Sequence, residues 1–202
     1  MNMGVPASVL KVNENIFDML KKTELFMKNT EKSESMIKQV RKEVLSIAEK
    51  YELEAAATTN LLPGAQDTLK NIRATGLKIA LCTVNSQKTT NYILKRFKLT
   101  EYFDATVPRE NVVEVKPNPD HLEAALKILE VSPSETMVVG DSINDIKGAR
   151  ELKALAIGLT TGVSTKEQLM SAGANYVVTS ITDLPILIEC LNKDEAEKNQ
   201  TQ

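Results

Sequence analysis

Thr83 and Asn85 stand just past the apolar run of residues 77–82. Lys116 sits in Val115-Lys116-Pro117-Asn118-Pro119, and Asp141 and Asp145 lie one helical turn apart after the run of residues 136–139. A hydroxyl, an amide, an ammonium and two carboxylates form a set suited to a phosphoryl group. A hydroxyl beside the N–H groups of a helix start can hold one phosphoryl oxygen. An ammonium can neutralise a second, or compensate an anionic nucleophile. One carboxylate can bind magnesium, a cation that prefers oxygen ligands and keeps several waters. The other can orient those waters or the lysine.

Bringing such distant residues together requires a scaffold, and the hydrophobic rhythm supplies one. Short apolar runs at residues 77–82, 103–107, 136–139, 154–159 and 176–178 read as strands. Between them lie helical patterns, the clearest being Leu122, Ala125, Leu126 and Leu129 at i, i+3, i+4 and i+7. Further helices are expected at residues 86–98, 144–152 and 165–172, with a last one carrying Leu184, Leu187, Ile188 and Leu191. Strands alternating with helices predict an α/β fold, a Rossmann-like parallel sheet flanked by helices. In such sheets ligands collect beyond the carboxyl ends of the strands, which is where all five side chains fall.

The first third is helix only. Ile16, Met19 and Leu20 share one face, with Asn13 or Asn15 available as a cap. Ile37, Val40, Val44, Ile47 and Tyr51 form one stripe on a helix over residues 35–51. The two make an N-terminal helical hairpin. Pro63-Gly64 marks the break before the alternating part. The predicted organisation is a hairpin at 1–59, an α/β core at 60–192 and a polar, frayed tail at 193–202.

Lys and Arg number 25 against 27 Asp and Glu, so neither composition nor any basic block points to nucleic acid. No apolar run is long enough to cross a bilayer, and the amino terminus lacks a secretory pattern, so a cytoplasmic location is expected. Cys82 and Cys190, both in apolar surroundings, are expected to be buried free thiols. The lone histidine, His121, at a helix start, reads as a surface or packing residue. Gly158 and Gly162 match neither a dinucleotide fingerprint nor a P-loop and read as a turn.

Cys82-Thr83-Val84-Asn85, Val115-Lys116-Pro117 and Gly140-Asp141-Ser142-Ile143-Asn144-Asp145, in that order, resemble the second, third and fourth motifs of the haloacid dehalogenase superfamily. The phosphoglycolate-phosphatase-like branch with a helical cap is the most similar, making the hairpin a partial cap. Leu62-Pro63-Gly64 resembles that branch's return from cap to core, and Gly158-Leu159-Thr160-Thr161-Gly162 its loop after the next strand. The resemblance covers residues 60–188. It implies a Mg2+-dependent phosphatase acting on a small phosphorylated metabolite, as monomer or homodimer. Thr83, Asn85 and Lys116 would bind phosphate, Thr83 and Lys116 serving catalysis. Asp141 would ligate the metal, with Asp145 supporting it.

The superfamily's first motif is an Asp-x-Asp at the end of a central strand, and no Asp-x-Asp occurs in this chain. Two explanations compete. In one, the chain starts midway through the cap and the strand lies upstream. In the other, residues 5–10 are a relic of that strand, with Lys11 and Asn13 where the aspartates belong; Pro6 argues against this, because it removes a ladder donor. Either way, no carboxylate is available to form an aspartyl-phosphate, and the chain alone is expected to be inactive. The alternative function is a catalytically dead binding or regulatory protein of the same fold. A signalling receiver domain shares the rhythm but has its acidic residues before its threonine and lysine, the reverse of the order here.

Overall fold

A computed structural model describes residues 15–200, and side chains as far as residue 193. Residues 5–10, Lys11 and Asn13 lie outside the described residues. The chain divides into two units, the first ending at Ala57 and the second beginning at Thr58.

In the first unit, helix α1 (Ile16–Asn29) is capped by Asn15, whose side-chain oxygen accepts from the N–H groups of Phe17 and Asp18, both at 3.0 Å. Helix α2 (Glu34–Thr58) follows. Met27, Ile37 and Val40 form the buried contact of the hairpin, with Val44 beside them. Arg41 donates to Glu24 across it at 2.7 Å. The expected stripe is only half used, since Ile47 and Tyr51 are exposed. The lengths explain this: α1 has 14 residues and α2 has 25, so α1 cannot follow α2 to its end.

The second unit alternates as expected. Helix α3 (Ala65–Ala74) leads to β1 (Ala80–Cys82), α4 (Gln87–Arg96) and β2 (Ala105–Val107). Then come α5 (Asp120–Leu129), β3 (Met137–Gly140), α6 (Ile143–Glu151), β4 (Leu155–Leu159), α7 (Lys166–Ser171), β5 (Tyr176–Val178) and α8 (Leu184–Gln200). Leu122, Ala125, Leu126 and Leu129 are all buried, as their spacing predicts. Strand β1 starts later than the run of residues 77–82, because a side chain takes over the ladder there. The Asp104 carboxylate accepts the Ile79 N–H at 2.8 Å, while the Asp104 N–H donates to the Ile79 carbonyl at 2.8 Å. Helix α8 runs past Lys193, the expected start of a frayed tail. Lys193 pairs with Glu189 one turn back at 2.7 Å, and good helix formers follow.

All strand pairings are parallel, but the expected single sheet is in two pieces. One is β1-β2 and the other is β3-β4-β5. Among the described residues, β1 pairs only with β2 and β3 only with β4. The pieces share one core. Leu122, Ile146, Ala149, Ala156, Leu169 and Ala174 form it, and both Cys82 of β1 and Val138 of β3 pack against it. Strand β4, paired on both edges, is buried along nearly its whole length, whereas β1 and β3 are only half-buried.

Candidate functional site

The carboxyl ends of β1 and β3 are tied together by one side chain. The Lys116 ammonium donates to the Cys82 carbonyl at 2.9 Å and lies 2.6 Å from Asp145 Oδ1. Cys82 is the last residue of β1, and Asp145 stands in the first turn of the helix that follows β3. Both members of the ion pair are largely buried, so water screens the pair weakly.

The other Asp145 oxygen is also engaged. Asp145 Oδ2 accepts from the Ser142 hydroxyl at 2.7 Å and from the Ser142 N–H at 3.1 Å, while the Asp145 N–H returns a bond to Ser142 Oγ at 3.2 Å. This is a reciprocal cap at the start of α6. Asp145 thus holds the lysine and its own helix, and neither oxygen is left bare. Of the two roles open to this carboxylate on sequence grounds, the geometry favours orienting the lysine.

Thr83 begins the turn from β1 into α4. Its N–H donates to the Val107 carbonyl at 3.0 Å, and its hydroxyl accepts the Asn85 N–H at 3.2 Å. Ser86, fully buried, then caps α4 through the Thr89 N–H at 3.1 Å. From the far side, buried Arg109 braces this turn. Its N–H donates to the Asn85 carbonyl at 3.2 Å and its guanidinium to the Val84 carbonyl at 3.1 Å. Among the described residues no hydrogen bond joins the side chains of Thr83 or Asn85 to Asp141.

Asp141 is partly exposed on the turn after β3. Its carbonyl accepts the Ser164 N–H at 3.1 Å, and Ser164 Oγ accepts the Ile143 N–H at 3.2 Å, so the loop after β4 is pinned to this turn. A Cβ on Gly162 would fall 1.6 Å from Asp141 Oδ2, so only glycine fits against that carboxylate. This supplies a physical reason for the glycine that spacing alone read as a turn.

The candidate carboxylates differ in what they could offer a magnesium ion. Among the described residues no three acidic, histidine or cysteine side chains cluster to hold a metal. Asp141 is the one carboxylate of the candidate pair with unengaged oxygens. The protein's own share of a magnesium site would therefore be Asp141, with the remaining positions open to water or a ligand's phosphate oxygens.

Three supporting residues escaped the sequence reading as site components: Ser142, Arg109 and His121. Ser142 was legible, since Ser-x-x-Asp at a helix start is a capping pattern. The other two act through backbone carbonyls that only the fold brings near. Of the two readings given to His121, surface or packing, burial decides for packing: it is fully buried. Its Nε2 lies 2.9 Å from the Val107 carbonyl, and its Nδ1 is 3.4 Å from the Lys116 N–H. Burial, with help from the Lys116 charge, holds its pKa below the ordinary histidine value. Neither cysteine forms a disulfide; Cys82 is half-buried, whereas Cys190 is exposed, contrary to expectation.

Parallel strands flanked by helices, with a lysine and acidic turns gathered at the strand ends, define a Rossmann-like α/β architecture with charged groups at the carboxyl rim of its strands. Residues 12–159 match the family model of the haloacid dehalogenase-like hydrolases, and the chain belongs to that family. It is 32% identical over 122 residues to the pyrophosphatase PpaX of Bacillus mycoides (strain KBAB4), a match covering 60% of this chain and 57% of that protein. The chain thus spans less than two thirds of the length of this curated relative. A hydrolase from Pseudomonas syringae superposes with a TM-score of 0.67 at 28% identity, over 85% of this chain and 76% of the other. A predicted phosphoglycolate phosphatase from Haemophilus somnus 129pt gives a TM-score of 0.67 at 21% identity, over 88% and 79%, and shows the fold alone.

Proposed function

We propose that this chain is the phosphate-holding part of a phosphatase that cleaves a small phosphorylated metabolite, and that by itself it does not turn substrate over. The observation that carries this is the Lys116 ammonium, fixed between the end of β1 and Asp145 in a family of hydrolases. A cation held at that position neutralises a phosphoryl oxygen without reorganising when the anion arrives. Thr83 and Asn85, at the helix start beside it, supply a hydroxyl and an amide for further oxygens. The name of the Bacillus relative adds inorganic pyrophosphate to the phosphate monoesters as a substrate to try.

Magnesium belongs to this reading for the whole protein, with Asp141 as its ligand. Mg2+ is commonly held by one or two carboxylates together with substrate phosphate. The lack of any Asp-x-Asp removes the nucleophile that the family resemblance calls for. That same observation favours the second reading, a non-catalytic binding protein of this fold.

The test is direct. The 202-residue chain is incubated with magnesium and either p-nitrophenyl phosphate or pyrophosphate, and orthophosphate binding is followed by NMR. No turnover above background is expected, together with saturable phosphate binding that Lys116→Ala abolishes. Robust magnesium-dependent turnover would overturn the claim of inactivity. Failure to bind phosphate, or undiminished binding in the variant, would overturn the site.

A further inference from the structure

We propose that His121 is the positioning residue for Lys116, its neutral imidazole pinning the loop that carries the lysine against the end of β2. This rests on the reading of Lys116 given above, but concerns how the lysine is placed rather than what it binds.

The two ring contacts determine the tautomer. A carbonyl can only accept, so Nε2, at 2.9 Å from the Val107 oxygen, carries the proton. The Lys116 N–H donates, so Nδ1 is bare. An imidazole with no exposed surface is costly to bury unless both nitrogens are used, and here both are. Three influences keep it neutral: burial, the Lys116 ammonium, and its place in the first turn of α5, where the helix dipole disfavours a cation. The Val107 carbonyl, which accepts from the ring, and the Asp145 carboxylate oppose them. A proton on Nδ1 would set two donors against each other at the Lys116 N–H.

The contacts form a closed brace. Lys116 is held at its backbone by His121 and at its tip by the Cys82 carbonyl and Asp145. The Cys82 thiol donates to the His121 carbonyl at 3.7 Å, joining β1 to the same turn. Both ends of the lysine are thereby fixed, which is what preorganising a binding group requires. A leucine would fill the space about as well but would leave the Lys116 N–H without an acceptor.

His121 is the only histidine, so its nitrogen signals in a 15N-labelled chain are unambiguous. They are expected to show the Nε2–H form. Lys116 acylation by a succinimidyl acetate, read peptide by peptide by mass spectrometry, reports how firmly the amine is held. In His121→Leu, Lys116 should acylate about tenfold faster while other lysines keep their rates. In His121→Asn, whose amide oxygen can accept in place of Nδ1, the rate should stay within about twofold of wild type. An Nδ1–H tautomer in the wild type, or equal acylation in the Leu and Asn variants, would overturn the proposal. If the Leu variant does not fold, the tautomer and the Asn variant still decide. Orthophosphate titration is a separate arm: loss of phosphate binding with an intact acylation pattern counts against the function and not against His121.

Discussion

At the scale of single residues, the Lys116–Asp145 pair dominates. Removing one partner of a largely buried pair strands the other charge, so Lys116→Ala should lower stability by about 3 kcal/mol. Replacing both, as Lys116→Met with Asp145→Asn, should cost less than the two single changes added together. A denaturant-unfolding cycle measures that coupling, and strict additivity would show the pair to be inert. Cys82 gives a second check. Burial pushes its thiol up to about 11, although the Lys116 ammonium pulls the other way. The thiolate is the nucleophile, so at pH 8 Cys82 should resist iodoacetamide while exposed Cys190 reacts. Its alkylation should rise only as pH approaches 11 or on unfolding, and peptide mass spectrometry separates the two sites.

At the scale of elements, Thr83, Asp141 and Asp145 are delivered by a short strand and the turn or helix start after it, and Lys116 by the loop before α5. Ser86 caps α4 and Ser142 caps α6, so the chain leaves each strand through a turn whose polar groups are satisfied. The entry to α3 depends on a different device. Gly64 sits at φ 74°, and a Cβ there would meet Thr182 Cγ2 at 2.5 Å. Gly64→Ala is therefore strained twice, in its backbone and in its contact, and should destabilise the chain by about 1–2 kcal/mol. Thermal unfolding of Gly64→Ala beside Gly64→Ala/Thr182→Ser tests this. The double variant, lacking the offending methyl, should recover part of the loss.

At the scale of the whole molecule, the divided sheet is the main fact. Unpaired strand edges leave backbone N–H and C=O groups to water or to another chain. Amide exchange should therefore be slowest in β4 and markedly faster in β1 and β3, although all three border the same core. Uniform protection across the three strands would show that the two pieces behave as one sheet. Among the described residues the rim carries Thr83, Lys116, Asp141 and Asp145, and the chain contains no Asp-x-Asp.

The sequence by itself determined the α/β alternation, the buried face of α5 and the motifs that carry the family resemblance. Each depends on local periodicity or on residue types at fixed spacing, and neither needs distant contacts. Strand lengths were less legible, because the Asp104 carboxylate replaces a ladder partner at Ile79 from across the β1–β2 pair. Only the tertiary structure decided that Asp145 gives its oxygens to Lys116 and Ser142, and that His121 is buried and joins the Lys116 loop to the end of β2. The division of the sheet belongs with these. Such outcomes depend on which groups meet through space, and spacing along a chain does not encode the partner of a buried polar atom until the fold has closed around it.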